Sequence, residues 1–247
     1  MEERDYNQEI KDTADHKYIY SFDQVMHSFM IRAFLSLANR PGNLLELGSC
    51  EGAFTKRLYP HFTRVTCIEA SSNAIKVAQE YFHERAVQFF NSMFEDVQLP
   101  VKYKNIVLTH TLEHIDDPIA LLKRINDEWI DNNGKLFLAC PNANAPSRQI
   151  AVKMGLIESN TSVTPSEKAH GHKRTYTLDT LEHDAKLAGL KVIHRSGIFF
   201  KALANFQWDK AIESGIVSQE YLEGCYQLGQ VYPDLCSSIF LVCEKGE

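Results

Sequence analysis

The segment NLLELGSCEGAFTKRL, residues 43–58, decides the fold of this chain. An apolar run that contains one acidic residue, Glu46, leads through Gly48 and Gly52 into a stretch with helical spacing. A strand, a glycine turn and a helix in this order form the first unit of an α/β fold. Glycine lets a ligand approach the backbone, and a helix N-terminus presents free N–H groups. The segment therefore indicates a cofactor-binding loop, although a G-x-x-x-G spacing by itself also fits a plain turn between a strand and a helix.

Further strands are predicted at intervals along the chain, because short apolar runs recur at 43–48, 64–69, 86–91, 105–110, 134–140, 190–194 and 237–243. Continuous apolar runs are typical of strands that are covered on both faces. Segments with helical patterns lie between the first five runs, at 53–62, 72–84, near 92–97 and at 116–130. We therefore predict an α/β fold with a mostly parallel sheet.

Two additions surround this alternating core. Residues 1–40 precede the first strand, and their second half carries Phe and Met at helical spacing, so we predict a helical lid. A helical insertion at about 201–231 separates the last two strands, and its Trp208 fits either an acceptor pocket or a dimer contact. The chain shows no repeat and no flexible linker. We predict one domain over residues 1–247, made of the lid (1–40), a cofactor-binding core (41–195) and the insertion with the final strand (196–247).

Composition disfavours several classes of protein. In 247 residues, Lys+Arg 26 against Asp+Glu 32 give a formal charge of -6, so we expect neither nucleic acid nor a membrane as partner. No apolar run reaches the roughly 18 residues of a membrane span. The first residues are charged where a signal peptide would be apolar, and we therefore place the protein in the cytoplasm. The six cysteines include no C-x-x-C pair, which favours reduced thiols over disulfides or zinc.

The second predicted strand ends in Glu69, where an acid can accept both hydroxyls of a ribose that lies over the first loop. A dinucleotide site would have such an acid as well, but its G-x-G-x-x-G pattern is absent, because Gly48 is followed by SCEG. The phosphate-binding pattern G-x-x-x-x-G-K-[ST] is absent too. The residues thus indicate a nucleoside cofactor without phosphate groups, and they disfavour a nicotinamide-dependent dehydrogenase.

With these motifs, the chain resembles the class I S-adenosylmethionine-dependent methyltransferases over roughly residues 40–195. The resemblance is to the small-molecule branch, which includes the O-methyltransferase of ubiquinone biosynthesis and many natural-product and sugar methyltransferases. LLELGSCEG resembles the glycine-rich loop of the family, VTCIEAS its ribose-binding strand end, and FFNSMFEDVQLP its adenine-contacting segment. YKNIVLTHTLEHIDDPIALLKRI and NGKLFLACPN resemble its fourth and fifth strands. The resemblance implies a Rossmann-like fold with seven strands, the last of them antiparallel.

The resemblance also implies a cofactor, S-adenosyl-L-methionine, with S-adenosyl-L-homocysteine as product. Glu46 and Gly48 would border the methionine part of the cofactor, Glu69 its ribose, and His110 its sulfonium. One departure is Cys50, which stands where the family has its middle glycine. The cofactor contacts that the resemblance implies are Tyr20, Glu46, Gly48, Ser49, Cys50, Gly52, Glu69, Ala70, Ser92, Met93 and His110.

The turn THTLEHIDD, residues 109–117, follows the fourth strand at the edge where open α/β sheets bind ligands. It offers His110, Glu113 and His114. Methyl transfer is an in-line displacement in which orientation supplies most of the catalysis, and a base is needed only for a protonated acceptor such as a hydroxyl. We predict His114 as the first candidate for this base and His110 as the second catalytic residue. The alternative is that Glu113 and His114 only cap the next helix.

The loop KAHGHKRTY, residues 168–176, follows the fifth strand, where the resembling family covers its acceptor. We predict that His170, His172, Arg174 and Tyr176 bind the acceptor, with Arg174 able to clamp a carboxylate or a phosphate. A solvated basic loop is the alternative. His170 and His172 have no third ligand nearby in the sequence, so we expect no metal.

Together these features predict methyl transfer from S-adenosylmethionine to an oxygen of a small polar metabolite, a secondary-metabolite intermediate or a sugar. The clustered histidines favour oxygen, and N-methylation of a small heteroaromatic or amino compound is the alternative. A non-catalytic cofactor-binding protein is a further alternative, since Cys50 departs from the loop pattern and fold does not determine function. The expected partner is a small-molecule acceptor, and a homodimer is left open.

Overall fold

The computed structural model describes residues 6–9, 20–82 and 87–246. Its strands are β1 Asn43–Leu47, β2 Arg64–Glu69, β3 Val87–Asn91, β4 Tyr103–Thr109, β5 Ile130–Pro141, β6 Lys191–Phe200 and β7 Cys236–Glu244. They form one seven-stranded sheet in the order β3-β2-β1-β4-β5-β7-β6. The pairings among β1 to β5 are parallel, whereas β7 pairs antiparallel with both β5 and β6. The predicted seven-stranded, mostly parallel sheet with an antiparallel last strand is confirmed.

The helices in the described ranges are α1 Tyr6–Glu9, α2 Ser21–Leu37, α3 Thr55–Leu58, α4 Ser72–Gln79, α5 Pro118–Arg124, α6 Pro146–Lys153, α7 Pro165–Ala169, α8 Leu178–Leu187, α9 Asn205–Glu213 and α10 Gln219–Val231. A π-helical segment, Ile125–Trp129, continues α5. The second half of the predicted lid is α2, and residues 1–5 and 10–19 of that lid lie outside the described residues. The predicted insertion forms α9 and α10. None of the described helices is long and apolar enough to cross a membrane.

Side-chain caps set the starts of several helices. Ser71 caps α4, since its hydroxyl accepts a hydrogen bond from a backbone N–H of the first turn. Asp117 Oδ1 accepts one from the N–H of Ala120 over 2.9 Å at the start of α5. Such bonds satisfy N–H groups that have no partner inside the helix. The cap of α5 is therefore Asp117, and not Glu113 or His114.

One predicted helix does not form. Residues 92–97 make turns, in which the N–H groups of Asp96 and Val97 both reach back to the carbonyl oxygen of Met93. A single turn fixes several backbone dihedrals for one hydrogen bond, so a segment this short does not extend into a helix without supporting contacts. The polar stretch around residue 168, for which no helix was predicted, contains the short helix α7, which begins with a capping box of Thr164 and Glu167.

Both faces of the sheet are covered by helices. One apolar cluster joins α2, α9 and α10 to one face, and a second joins α5 and α8 to the opposite face. Neighbouring residues of β1, Leu44 and Leu45, belong to different clusters because side chains alternate along a strand. Phe22, Met26 and Met30 of α2 are buried in the first cluster. The apolar stripe of α2 thus packs on the sheet.

The insertion holds the lid helix in place. Trp208 of α9 is buried and stacks on Phe22 of α2, with ring centroids 5.2 Å apart. It lies in the core, so it lines neither an acceptor pocket nor a dimer contact. The neighbouring Asp209 carboxylate accepts hydrogen bonds from the N–H groups of Ser21, over 3.2 Å, and Phe22, over 2.8 Å. A carboxylate at a helix N-terminus is stabilising, and this one fixes the start of α2 at the edge of the sheet.

Candidate active site

A cavity of about 560 Å³ opens at the edge of the sheet where the parallel strands end, and α2 forms one of its walls. Small-molecule sites have volumes of roughly 300–1,000 Å³. The predicted site residues that line it are Tyr20, Glu46, Gly48, Ser49, Cys50, Glu69, Ala70, Ser92, Met93, His110, His114, His170 and His172. Gly52, Arg174 and Tyr176 are not part of its lining.

The loop between β1 and α3 has the backbone shape that its glycines predict. Gly48 and Gly52 have φ angles of 77° and 78°, in the left-handed region that favours glycine. A Cβ on Gly48 would lie 2.6 Å from Thr111 Oγ1, and one on Gly52 would lie 3.0 Å from the Cβ of Ala78 in α4. Gly52 therefore packs behind the loop against α4. We correct its predicted role from a cofactor contact to the packing of the loop.

Cys50 stands at the position of the family's middle glycine. Its φ is 47°, so it adopts the left-handed conformation although it carries a side chain. For residues other than glycine this conformation costs about 1–2 kcal/mol. The N–H of Cys50 donates a hydrogen bond of 2.8 Å to Glu69 Oε2, which ties the loop to the end of β2. Cys50 thus adds backbone strain to the loop, and its hydrogen bond to Glu69 holds the loop at the end of β2.

Glu69 stands at the end of β2, as the sequence predicts. Its carboxylate accepts hydrogen bonds of 2.8 Å from the N–H groups of both Cys50 and Ser71. Burial raises the pKa of Glu69, and these hydrogen bonds oppose the rise. The carboxylate lines the cavity beside the glycine loop. This is the position at which a ribose would offer its hydroxyls.

Glu46 lies inside β1, where its side chain is 2% exposed. Burial raises its pKa to about 8, and hydrogen bonds from Thr55 and Cys67 partly oppose that shift. The Cys67 thiol lies 3.8 Å from Glu46 Oε2. The floor of the cavity under the glycine loop therefore carries a carboxyl group that a nearby cation would help to ionise.

The segment after β3 forms the wall next to Glu69. The side chains of Ser92, Met93 and Phe94 line the cavity there. The amide of Asn91 donates hydrogen bonds to the carbonyl oxygens of Glu69, over 3.0 Å, and of the next residue, over 2.8 Å. These bonds join the ends of β2 and β3 and bring an apolar wall beside the carboxylate. Phe94 was missed from the sequence, although it belongs to the same predicted segment.

His110 occupies the strand end at the centre of the cavity. Its φ is 48°, a strained conformation of the kind that clusters at functional sites. Its ring Nε2 lies 2.9 Å from the hydroxyl oxygen of Ser238 in β7, and its backbone N–H donates to the carbonyl of Ala139 over 2.8 Å. The ring is open to the cavity but surrounded by protein, and burial lowers the pKa of His110 to about 3. The imidazole is therefore neutral at physiological pH.

Glu113, His114 and His172 form a cluster on the far side of His110. The Glu113 side chain is 2% exposed, and its Oε1 lies 3.9 Å from His114 Nε2. The rings of His114 and His172 are 4.6 Å apart between centroids. Burial raises the pKa of Glu113 to about 8. Because Asp117 caps α5, these side chains are left to face the cavity, and the capping alternative is wrong.

The basic loop is latched to the turn after β4. The backbone N–H of Lys173 donates to the carbonyl of Glu113 over 2.9 Å, and the side-chain ammonium of Lys173 pairs with Asp116. Arg174 donates to the carbonyl oxygens of Ile115, over 2.7 Å, and Asp116, over 3.0 Å. Arg174 therefore fastens the loop, and its predicted role as a clamp for the acceptor is corrected. The alternative of a freely solvated loop is wrong for the same reason.

The prediction for Tyr176 is also corrected. Its side chain is 2% exposed, and its hydroxyl donates to Asp184 Oδ2 of α8 over 3.1 Å. The ring belongs to the apolar cluster on the face of the sheet covered by α8. Tyr176 is therefore a core residue. The sequence pattern, an aromatic residue just before a helix, does not distinguish a core position from one in the acceptor site.

Lys201 was not predicted from the sequence; it follows β6 and lines the cavity while only 7% exposed. Its ammonium bonds the side-chain oxygen of Asn205 and lies 4.7 Å from the centre of the Phe22 ring. Burial lowers the pKa of Lys201 to about 8. β6 runs in the direction of β1 to β5, so its carboxyl end reaches the same edge of the sheet. Open α/β sheets bind their ligands at the carboxyl ends of the strands, and this general rule could have identified Lys201 from the sequence.

These features define the class of the protein. The cavity combines a glycine loop, carboxyl groups at the ends of two strands, and an apolar wall for a ring. The hydroxyl oxygen of Ser49 lines it, is buried, and has no nitrogen or oxygen hydrogen-bond partner among the described residues, so it can bond a polar ligand. The residues fit S-adenosylmethionine, which has ribose hydroxyls, an adenine and a cationic sulfonium. The structure is that of an α/β enzyme with a nucleoside cofactor.

Comparison with known proteins identifies the family. The family described as "Methyltransferase domain" matches residues 22–195. Since the match covers most of the chain, this protein belongs to that family, and it is a class I S-adenosylmethionine-dependent methyltransferase.

Individual relatives differ in the atom that they methylate. The chain is 25% identical to the ubiquinone biosynthesis O-methyltransferase of Aeromonas salmonicida over 166 residues, which are 66% of this chain and 68% of that relative. It is 31% identical to nodulation protein S of Sinorhizobium fredii over 111 residues, 43% of this chain and 50% of the relative. The crystal structure of the N-methyltransferase NodS from Bradyrhizobium japonicum with S-adenosyl-L-homocysteine shares the fold, with a TM-score of 0.57 at 15% identity. That match covers 92% of this chain and 89% of the other.

Proposed function

We propose that the protein transfers the methyl group of S-adenosylmethionine to an oxygen of a small polar metabolite. The observation that carries the proposal is that His110 and His114 face the same cavity as Glu69 and the glycine loop. The cofactor, when bound, supplies an electrophilic methyl group on its sulfonium. A hydroxyl acceptor must lose a proton in the reaction, and the protein must hold its oxygen in line with the methyl group.

The cofactor is held at the ends of β1, β2 and β3. Glu69 accepts hydrogen bonds from the ribose hydroxyls, because its carboxylate lines the cavity beside the loop. Ser92 and Met93 lie along the adenine. Glu46 is buried below the loop with a raised pKa, and a cationic ligand beside it would favour its ionisation. Tyr20 at the start of α2 lies over the cofactor and shields it from water.

The acceptor is held at the ends of β4, β6 and β7. His114 is the first candidate for the base, since the Glu113 carboxyl, 3.9 Å from its Nε2, can ionise and pair with the imidazolium that forms on proton uptake. His110 is the second candidate, because it is neutral and its ring is held by Ser238. His170, His172 and the buried ammonium of Lys201 surround these residues. A hydroxylated acceptor with an acidic group fits that lining.

N-methylation of a small amine or heteroaromatic compound is the second candidate function. It is favoured by the similarity to nodulation protein S and by the carboxyl group of Glu113 in the cavity lining, which suits an amine. A non-catalytic cofactor-binding protein is the third candidate. Cys50 supports it only weakly, because its backbone adopts the left-handed conformation that favours glycine.

The partner that we propose is a small molecule rather than a nucleic acid, since the formal charge is -6. The cytoplasmic location and the homodimer stay predictions.

The proposal is tested with methyl-labelled S-adenosylmethionine and acceptors in matched pairs, each a hydroxyl compound and its amino analogue. Mass spectrometry of the products locates the added methyl group. O-methylation predominates if the proposal is right, and methylation of the amino members alone would favour the second candidate. Cofactor binding without turnover on any pair would favour the third.

A further inference from the structure

The cluster of Glu113, His114 and His172 has the geometry of a metal site. Each of the three side chains offers one ligand atom, a carboxylate oxygen or a ring nitrogen, and these atoms lie within 4.8 Å of one another. Zn²⁺ binds nitrogen and oxygen ligands at about 2.0–2.2 Å, so ligand atoms that share one ion are about 3–3.5 Å apart. Small rotations of the three side chains are therefore enough to close on an ion.

Glu113 supplies an independent reason to expect a ligand. Its side chain is 2% exposed, and neither carboxylate oxygen has a nitrogen or oxygen hydrogen-bond partner among the described residues. The Cys140 thiol is a weak partner for this group. A buried carboxylate without stronger partners is costly, and proteins pair such a group or bind a metal with it. The group lies in the wall of the cavity, next to the two imidazoles.

The backbone prepares this arrangement before any ion binds. His114 follows Glu113 in the 3₁₀ turn Leu112–His114, so these two ligands come from one short segment. His172 is brought to them by the loop latch, in which Lys173 donates its N–H to the carbonyl of Glu113 over 2.9 Å. The latch fixes His172 from a distant part of the chain, whereas His170 in the same loop lies outside the cluster.

We propose that Glu113, His114 and His172 bind a divalent first-row transition metal ion, best represented by Zn²⁺. Two imidazoles and one carboxylate are the ligand set that such ions prefer over Mg²⁺ or Ca²⁺. Three protein ligands leave at least one coordination position open, as in catalytic zinc sites. The sequence-based expectation of no metal considered only His170 and His172; the structure adds Glu113 and His114 from another segment.

The proposed metal site extends the proposed function. The binding of the ion does not depend on that function, and only its chemical role rests on it. An acceptor hydroxyl at the open position would lose its proton to solvent water more easily, and its oxygen would then bond the methyl carbon as the carbon–sulfur bond of S-adenosylmethionine breaks and S-adenosyl-L-homocysteine leaves. His114 is then a ligand, so its ring cannot accept the proton at the same time. In this state the ion replaces His114 as the means of activating the hydroxyl.

The test uses the full chain, freed of metal with a chelator and titrated with Zn²⁺ by calorimetry, with Co²⁺ absorption as a second probe. We expect one equivalent of Zn²⁺ with micromolar or tighter affinity. Glu113→Gln and His172→Asn each weaken that affinity by about 100-fold or more, since each removes a direct ligand. The matched control is His170→Asn, in the same loop and cavity, which leaves the affinity within a few-fold.

Two results would overturn the proposal: no stoichiometric Zn²⁺ binding by the parent chain, or equal losses in His170→Asn and His172→Asn. His172→Asn alters a partly exposed loop residue, so it keeps the test decisive if Glu113→Gln fails to fold. Binding of S-adenosyl-L-homocysteine is measured on the same samples without Zn²⁺. Loss of that binding would count against the proposed function, whereas the metal result is read from Zn²⁺ affinity alone.

Discussion

The two halves of the cavity are built in different ways. The cofactor half, at the ends of β1 and β2, is formed largely by backbone: Gly48 and Cys50 adopt left-handed conformations, and the N–H of Cys50 donates to Glu69. The acceptor half, at the ends of β4 and β6, is formed by side chains such as His114 and Lys201. Backbone shape suits a ligand that stays the same throughout a family, and side chains can vary with the acceptor. The halves should therefore respond differently to substitution.

The largest effect is expected in the acceptor half. His114→Ala should lower kcat for methyl transfer by about 10²–10⁴-fold, whether His114 acts as a base or as a metal ligand. The affinity for S-adenosyl-L-homocysteine, measured by calorimetry, should stay within a few-fold because the cofactor half is untouched. His61→Ala, at an exposed residue outside the cavity lining, serves as control. A kcat within a few-fold of the parent would remove His114 from the mechanism.

In the cofactor half, Glu69→Ala should weaken binding of S-adenosyl-L-homocysteine by about 1.5–3 kcal/mol, because hydrogen bonds to an ionised group are lost. Equilibrium dialysis with labelled ligand measures this change. Glu80→Ala, at an exposed carboxylate beside α4, is the matched control and should have no effect. An unchanged dissociation constant in Glu69→Ala would show that the ribose lies elsewhere.

The buried carboxyl below the loop predicts a pH dependence of stability. The pKa of Glu46 is about 8 in the folded protein against an ordinary value of 4.5, so between these values the folded state holds a proton that the unfolded state releases. Stability should therefore fall as pH rises through this window, by about 1–2 kcal/mol between pH 6 and pH 8. Glu46→Gln should reduce the slope of Tm against pH. The slope should not vanish, because the pKa of Glu113 is raised in the same direction. An unchanged slope in Glu46→Gln would contradict this assignment.

The smallest effect concerns strain in the glycine loop. Cys50→Gly and Cys50→Ala both remove the thiol, but only glycine relieves the left-handed conformation at φ 47°. The glycine variant should be the more stable of the two by about 1 kcal/mol or less, since the flexibility of glycine in the unfolded chain offsets part of the gain. Urea unfolding followed by circular dichroism measures the difference. Greater stability of the alanine variant would show that the strain is relieved elsewhere.

The cofactor half could be predicted from the sequence because its signals are local. Gly48 and Gly52 follow an apolar run directly, and Glu69 ends the next one. The order of strands and helices then determined the sheet, and the final strand proved antiparallel, as the family resemblance implied. The short segment at 92–97 was assigned to the wrong element, since isolated turns carry no periodicity, and the helix α7 was not predicted.

The acceptor half was harder to predict because its members meet only after folding. The pattern KAHGHKRTY shows that cations are present, but it does not show that Arg174 bonds the carbonyls of Ile115 and Asp116. The pattern also does not show that His172 lies beside Glu113, because a backbone hydrogen bond between distant segments brings the two residues together. Lys201 stands at a strand end that the topology brings to the site, and its significance depends on the strand direction.

The central claim is that the ends of β1 and β2 bind a nucleoside cofactor without phosphates. Equilibrium dialysis of the parent chain and of Glu69→Ala, with labelled S-adenosylmethionine and labelled NAD in parallel, tests it most directly. The account predicts micromolar binding of S-adenosylmethionine by the parent chain, clear weakening in Glu69→Ala, and no comparable binding of NAD. Micromolar binding of NAD without binding of S-adenosylmethionine would contradict it.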